Sequence, residues 1–360
     1  MENTIKIQME AVNNSSAWTG NELQTDKSWE FNLSPEQQDD LSTALQVIKD
    51  RGLPFAEMTR DDFQIPSLSK TIQGLLDELR DGRGIAVLRN VPVDEDKIGD
   101  MEKLFWGLCT HMGTAVTQNS EAGLIHCVTD GKLRPKKGSR GLGDPREISL
   151  HVDLSDCVAL YCLRQAPDDP RSLFASSMNV YNEILKHHPE YLPRLYEGFI
   201  WSRVEPRESE TLSSNFKIPA YSTAGGRVTC RFHPGWIRDG MERAGETLSE
   251  EEEEIFAFIR ELAYANAFPL HLRKGDIVFC NNYLVFHGRD QHGLIDDEDK
   301  KRVLLRIWMD LPDVRPFSDE GSIRYGAIRH GNMGWTAAEI LSGDYKTPHR
   351  RREDGVPEVL

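Results

Sequence analysis

Apolar residues recur three and four positions apart in the first third of the chain, and at every second position in most segments after residue 150. The first rhythm belongs to a helix with one buried stripe, the second to a strand with one buried face. Ser34-Pro35-Glu36-Gln37 is a capping box with proline in the first turn; it opens a helix that ends before Gly52 and buries Leu41, Leu45 and Ile48. A second helix is expected over about residues 69–80, on Ile72, Leu75, Leu76 and Leu79. Gly82-Arg83-Gly84 then turns the chain into a strand at 85–88, and a third helix follows on Ile98, Met101, Leu104, Phe105 and Leu108.

Later strands are expected at 158–163, 172–175, 199–204, 218–221, 227–232, 276–280, 284–287 and 302–309. Helices are expected at about 178–188 and 249–265, the second opened by the acidic run 250–254 at the positive end of its dipole. Short strands without regular strand–helix–strand alternation predict a mainly β fold, a sandwich or barrel core with helical additions. Residues 1–30 are polar and aperiodic, an arm that Trp18 and Trp29 anchor to the body. Residues 31–312 then form one domain, and 313–360 a C-terminal extension with a short helix near 335–341.

Composition narrows the class. Fifty-eight acidic against 43 basic residues, a net charge of −15, argue against nucleic acid or an anionic membrane as partner. No apolar stretch approaches the ~18 residues of a membrane span. Six cysteines without a CxxC pair fit reduced, packed thiols, so a cytoplasmic protein is expected, and a homo-oligomer is left open.

The chemistry centres on ISLHVDLSD, residues 148–156. In extended backbone His151 and Asp153 project to the same side and deliver a nitrogen and an oxygen donor to one point. His287, 134 residues beyond Asp153 in KGDIVFCNNYLVFHGR, is the candidate third ligand. Two histidines and a carboxylate on one face of an ion make the facial triad of non-haem Fe(II) oxygenases, with positions left open for a co-substrate and O2. Residues 130–147, rich in glycine, proline and basic side chains, read either as a solvated loop or as a lid that steers an anionic substrate. His187-His188, His233, His292 and His330 lack ligand spacing, and Arg231 is open between pocket and water. Asn281-Asn282 are expected to shape the turn into the His287 segment rather than touch a ligand.

The ordered set HVD, a hydroxyl residue, GDIVFCNNYLVFHGR and RVLLRIWMD resembles the taurine dioxygenase and TfdA superfamily of Fe(II)- and 2-oxoglutarate-dependent oxygenases, over roughly residues 70–312. FASSMNVYNEIL is similar to fungal members, several of which serve natural-product pathways. The resemblance implies a double-stranded β-helix, or jelly roll, with His151 and Asp153 leaving the second core strand, His287 on the seventh, and Arg302 and Arg306 on the eighth. It implies that Arg302, helped by Ser172, grips the distal carboxylate of 2-oxoglutarate, and that Arg306 meets an acidic group on the primary substrate, although the spacing alone leaves the two arginines interchangeable. Asp169-Pro170-Arg171-Ser172 departs from the family's GGxT context. Gln118 and Asn119 fall where family members contact substrate, and an ordinary turn is the competing reading.

The resulting expectation is oxidation of an unactivated C–H in a small acidic metabolite, first an amino acid or its derivative, second an alkyl sulfonate or betaine-like acid. Hydroxylation, desaturation and ring closure all remain open, with succinate and CO2 as co-products. Asp at 153 leaves no vacated ligand position for chloride, against a halogenase. Two rivals stand: a non-catalytic jelly-roll binding protein, and a zinc hydrolase, which leaves the RxxxR pair unexplained.

Overall fold

The computed structural model describes residues 7–118, 123–129, 146–202, 213–214, 216–293, 295–316, 323–324, 327–328 and 335–343. Asn119, His330, residues 130–145 of the basic segment and most of 313–360 lie outside them. In chain order the strands are β1 (Glu30–Asn32), β2 (Ile85–Arg89), β3 (Thr114–Val116), β4 (Ile125–Thr129), β5 (Ile148–His151), β6 (Cys157–Arg164) and β7 (Ser172–Ser176). They continue with β8 (Tyr221–Ala224), β9 (Arg227–Cys230), β10 (Phe268–Leu270), β11 (Ile277–Asn281), β12 (Val285–Arg289) and β13 (Val303–Asp310). The helices are α1 (Gly20–Thr25), α2 (Pro35–Asp50), α3 (Ser69–Arg80), α4 (Ile98–Thr110), α5 (Ser177–His187), α6 (Leu192–Glu197), α7 (Pro234–Arg243), α8 (Glu250–Ala265) and α9 (Ala337–Leu341).

Two sheets face each other. The larger has seven strands in the order β1-β2-β11-β6-β13-β3, with β4 also along β13; the smaller has four, β10-β7-β12-β5. From β4 onward successive core strands change sheet except from β7 to β10, giving β4-β13-β6-β11 opposite β5-β12-β7-β10. That is jelly-roll connectivity. It puts His151 on the second core strand, His287 on the seventh and Arg306 on the eighth.

Strand alternation sorts the core into two layers. Cys157, Ala159, Tyr161 and Leu163 of β6 pack with the apolar stripes of α2, α3 and α4 on the outer face of the large sheet. Val158 and Cys162, the intervening positions, face the small sheet and join Leu150, Phe174, Val285 and Phe286. The helices at Pro35–Asp50, Ser69–Arg80 and Glu250–Ala265 follow the apolar periodicity closely, and Ser34 and Ser249 close capping boxes.

Elsewhere packing overrides pattern. The strands expected at 199–204 and 218–221 meet through the isolated bridge Phe199↔Ile218, followed by Ser202↔Ser213. Gly198, at φ +84, sits so close to Ile218 that a Cβ would come within 2.3 Å of its backbone, and Pro219 has no N–H for a ladder. β8 and β9 form a hairpin instead, turning at Gly225 and Gly226 with φ of 55 and 73. α7 lies in a stretch of proline, glycine and charged residues; it rests on a His233 cap and on Ile237 and Met241, one turn apart and buried.

Residues 7–30 are stitched to the body. Trp18, Leu23 and Trp29 are buried, and Trp18 Nε1 donates to the Arg83 carbonyl at 2.9 Å. The FASSMNVYNEIL stretch supplies the opposite partners: Ser176 Oγ donates to the Ser16 carbonyl, Asn182 bonds both backbone groups of Val12, and the Tyr181 hydroxyl donates to the Gln8 carbonyl. The six cysteines are free thiols, and all but Cys127 are buried. Among the described residues no helix is long and apolar enough to cross a membrane.

Candidate active site

β5 and β12 pair antiparallel with His151 directly opposite His287, so the two imidazoles share a face, their ring centroids 4.6 Å apart. The chain leaves β5 after His151. The Val152 N–H donates to the Phe232 carbonyl at 3.1 Å, and the Asp153 N–H to Asn282 Oδ1 at 3.1 Å. Asn282 Nδ2 donates in turn to the Ser155 carbonyl at 3.0 Å, which fixes the turn. The Asp153 carboxylate then lies between the rings, Oδ1 3.7 Å from His151 Nε2 and Oδ2 3.4 Å from His287 Nε2.

The protonation pattern suits a cation. His151 Nδ1 is 2.6 Å from the Ser149 carbonyl, which can only accept, so Nδ1 carries a hydrogen and the ring presents Nε2 to the centre. His287 Nδ1 is buried without a hydrogen-bond partner. Burial pushes the His287 pKa down, with His151 adding to the effect, so its imidazole is neutral at pH 7. For Asp153, burial acts to raise the pKa, but hydrogen bonds from His151 and His287 and the charge of Arg306 outweigh it and hold the carboxyl well below its usual range. One donor atom from each of the three lies within 4.8 Å of the others, close enough to meet on one ion. Two imidazole nitrogens and one carboxylate oxygen fit a first-row divalent ion with further positions open.

The triad opens into a cavity of about 520 Å³. On β13, Val303, Leu305 and Ile307 pack toward the helices, so Arg306 and Trp308 point to the other side, with Arg302 just ahead of the strand in the same phase. Arg302 and Arg306 both line the cavity. Arg302 Nη2 lies 3.4 Å from Ser172 Oγ, and its Nε donates to Gln165 Oε1 at 3.0 Å. Where the family has glycines before its threonine, Asp169 here adopts φ 44, the left-handed region, tied to His271 Nδ1 through Oδ2 at 2.6 Å.

Gln118 requires a correction. It is fully buried and does not line the cavity. Its Oε1 accepts from Arg306 Nε at 2.7 Å, while its Nε2 donates to the carbonyls of Leu124 and Arg306 at 3.0 and 2.8 Å. Its side-chain amide is committed to Leu124, just before β4, and to Arg306 of β13.

Arg231 faces neither pocket nor water: it is buried and donates to the Tyr283 hydroxyl. Asn281 and Asn282 are also buried outside the cavity, holding the turn before β12. His187 pairs with Glu183, and His188 with Glu190, on the surface. His233 was set aside in the sequence for want of ligand spacing, and Trp308 was not singled out. His233 lines the cavity 4.7 Å from the His151 ring, stacked on Trp236, with Nδ1 accepting the Trp236 N–H at the start of α7. Trp308 Nε1 donates to Asp153 Oδ2 at 3.0 Å, and its one sequence signal is the two-residue step from Arg306 on the inward face.

Residues 49–308 match the family described as taurine catabolism dioxygenase TauD, TfdA family. The chain belongs to this family. As a TauD/TfdA-family member it is a dioxygenase, and two relatives span most of its length. FR-33289 synthase of Streptomyces rubellomurinus (strain ATCC 31215) is 26% identical over 327 residues, covering 87% of this chain and 94% of its own. Taurine hydroxylase-like protein SAT17 of Stachybotrys chartarum (strain CBS 109288 / IBT 7711) is 24% identical over 311 residues, covering 82% and 79%. Among solved structures, asparagine oxygenase in complex with Fe(II), 2S,3S-3-hydroxyasparagine and succinate superposes with a TM-score of 0.59 at 14% identity, covering 78% of this chain and 93% of that one. That likeness establishes the shared jelly-roll fold.

Proposed function

We propose that this TauD/TfdA-family enzyme is an Fe(II)- and 2-oxoglutarate-dependent dioxygenase that oxidises an unactivated C–H bond of a small acidic metabolite. An amino acid or amino-acid-derived intermediate is the first substrate class, with succinate and CO2 as co-products. The observation that carries this reading is one cavity holding both the His151–Asp153–His287 cluster and the Arg302–Ser172 pair. His151, Asp153 and His287 hold the iron. When bound, Fe(II) supplies the O2 activation and C–H oxidation that no side chain here can perform.

The remaining residues bind and orient. Arg302 offers a planar guanidinium that meets the distal carboxylate of 2-oxoglutarate in two bonds, where an ammonium would make a point contact. Ser172 adds a hydroxyl beside it, and Gln165 holds the guanidinium plane through Nε. Arg306, braced by Gln118, meets the acidic group of the substrate. Val158, Leu160 and Leu304 supply an apolar wall that limits water at the reacting carbon. Asparagine oxygenase, bound to a hydroxylated amino acid, supports the amino-acid class. The relative named as a synthase supports a place in natural-product biosynthesis, and the six free thiols fit the cytoplasm. A second reading, an alkyl sulfonate such as taurine, is favoured by the family description and by the SAT17 name, and Arg306 suits either acid.

The test is an anaerobic titration of the apo-protein with Fe(II) and 2-oxoglutarate, following the visible charge-transfer band of the chelate. A band at one equivalent, lost in His151→Ala, Asp153→Ala and His287→Ala, is the expected result. Amino acids and taurine are then screened for perturbing that band and for releasing succinate in air. No band, with tight zinc binding and hydrolysis in the absence of O2, would overturn the reading.

A further inference from the structure

Trp308 is a fully buried residue on the inward face of β13, outside the metal-ligand and RxxxR motifs. An indole N–H can only donate. It donates to Asp153 Oδ2, 3.0 Å away, the oxygen that also faces His287 Nε2 at 3.4 Å, while Oδ1 faces His151. A carboxylate left to rotate about its last bond would present either oxygen, or both, to an ion; a fixed donor on one oxygen removes that freedom. Asn282 holds the main chain of Asp153, so backbone and head group are held separately. The other two ligands are supported unequally: His151 has the Ser149 carbonyl, and His287 Nδ1 has no hydrogen-bond partner. The Trp308 ring also lies under the Arg306 guanidinium, 5.5 Å from its centroid, so the ligand carboxylate and the cavity arginine rest against the same rigid side chain.

We propose that Trp308 is the positioning residue of the metal centre: its indole N–H locks the Asp153 carboxylate in one orientation and sets how tightly the triad holds a divalent ion. The proposal rests on the metal reading of the triad. Outer-shell partners of this kind are worth about 10–100-fold in metal affinity. The rival account is a packing tryptophan whose N–H happens to meet an acceptor. It predicts that removing the N–H while keeping an aromatic ring leaves metal binding unchanged.

The experiment compares wild type with Trp308→Phe in anaerobic Fe(II) and Zn(II) titrations against a chromophoric chelator, and records the visible spectrum of the Co(II)-loaded proteins. Expected are a 10–100-fold weaker affinity for both metals, a changed Co(II) spectrum, and an unchanged far-UV circular dichroism spectrum of the apo-protein. If Trp308→Phe does not fold, site-specific incorporation of the benzothienyl analogue, sulfur in place of N–H, keeps the indole shape and gives the same comparison. Wild-type affinity with a wild-type Co(II) spectrum in the folded variant would overturn the proposal. Failure of the wild type itself to bind either metal would instead overturn the metal reading, and this proposal with it.

Discussion

Of the three residues proposed as ligands, Asp153 and His151 are held by hydrogen bonds from outside the triad. Asn282 satisfies the Asp153 N–H and the Ser155 carbonyl at once, in a fully buried turn. Asn282→Ala strands both, and a stranded buried group costs roughly 1–3 kcal/mol. Urea denaturation of the apo-protein should register that loss, and a change under about 0.5 kcal/mol would show that the turn holds without it. Arg302→Ala removes the charged grip proposed for 2-oxoglutarate. Hydrogen bonds to charged groups are worth about 1.5–3 kcal/mol, so the 2-oxoglutarate concentration for half-maximal band formation should rise about 10–150-fold. An unchanged requirement would move that role to Arg306. The three residues proposed as ligands could be picked out in the sequence because HxD spacing and the GDxxFxNNxxxxHxR run are local. Gln118 was misassigned because its partners, Leu124 and the eighth-strand Arg306, meet it only through the β4–β13 pairing.

At the level of elements, period-two alternation explains most of the site: Leu304, Arg306 and Trp308 share one face of β13 because Val303, Leu305 and Ile307 are claimed by the helix layer. The arm shows the converse, a segment without periodicity that packs through isolated anchors. Trp18 is buried, and its indole bonds the Arg83 carbonyl at the turn into β2. Trp18→Ala should cost about 3–5 kcal/mol, the usual range for truncating a buried aromatic. Thermal and urea unfolding test this, and a loss under about 1 kcal/mol would make the arm peripheral to the fold. α7 was missed for a different reason: its apolar stripe, Ile237 and Met241 one turn apart, is short and lies among Pro234, Gly235 and Gly240, which read as a turn.

For the whole molecule, neutral histidines buried at the centre dictate the pH response. Burial is the chief cause that lowers the pKa of His287, and of His233 by more. In the unfolded chain both titrate near 6.5. Below that value the unfolded state binds protons that the folded state refuses, so their contribution is complete above about pH 6.5 and is lost as pH falls toward the folded values. The apo-protein should therefore unfold at lower urea at pH 5.5 than at pH 7.5, before most carboxylates protonate. Equal midpoints would contradict the buried-neutral assignment. Zn(II) should recover part of the difference at pH 5.5, because the metal binds only the deprotonated ligands. The same scale explains how a chain of net charge −15 can take anionic ligands: Arg302 and Arg306 are gathered inside the cavity, where two guanidiniums outweigh a distant acidic surface.

The sequence by itself determined what depends on near neighbours: helix starts from capping boxes, strand faces from alternation, and the donor set His151, Asp153 and His287 with the arginine pair that follows. Only the tertiary structure decided how those donors are held. The bond from Trp308 to Asp153 joins residues 155 positions apart, Asn282 reaches Asp153 across 129, and Gln118 meets Arg306 across 188. Such contacts follow from strand order and register, which pair the second core strand with the seventh and the first with the eighth. No local spacing encodes them, because each depends on the whole sheet closing before its two ends can meet.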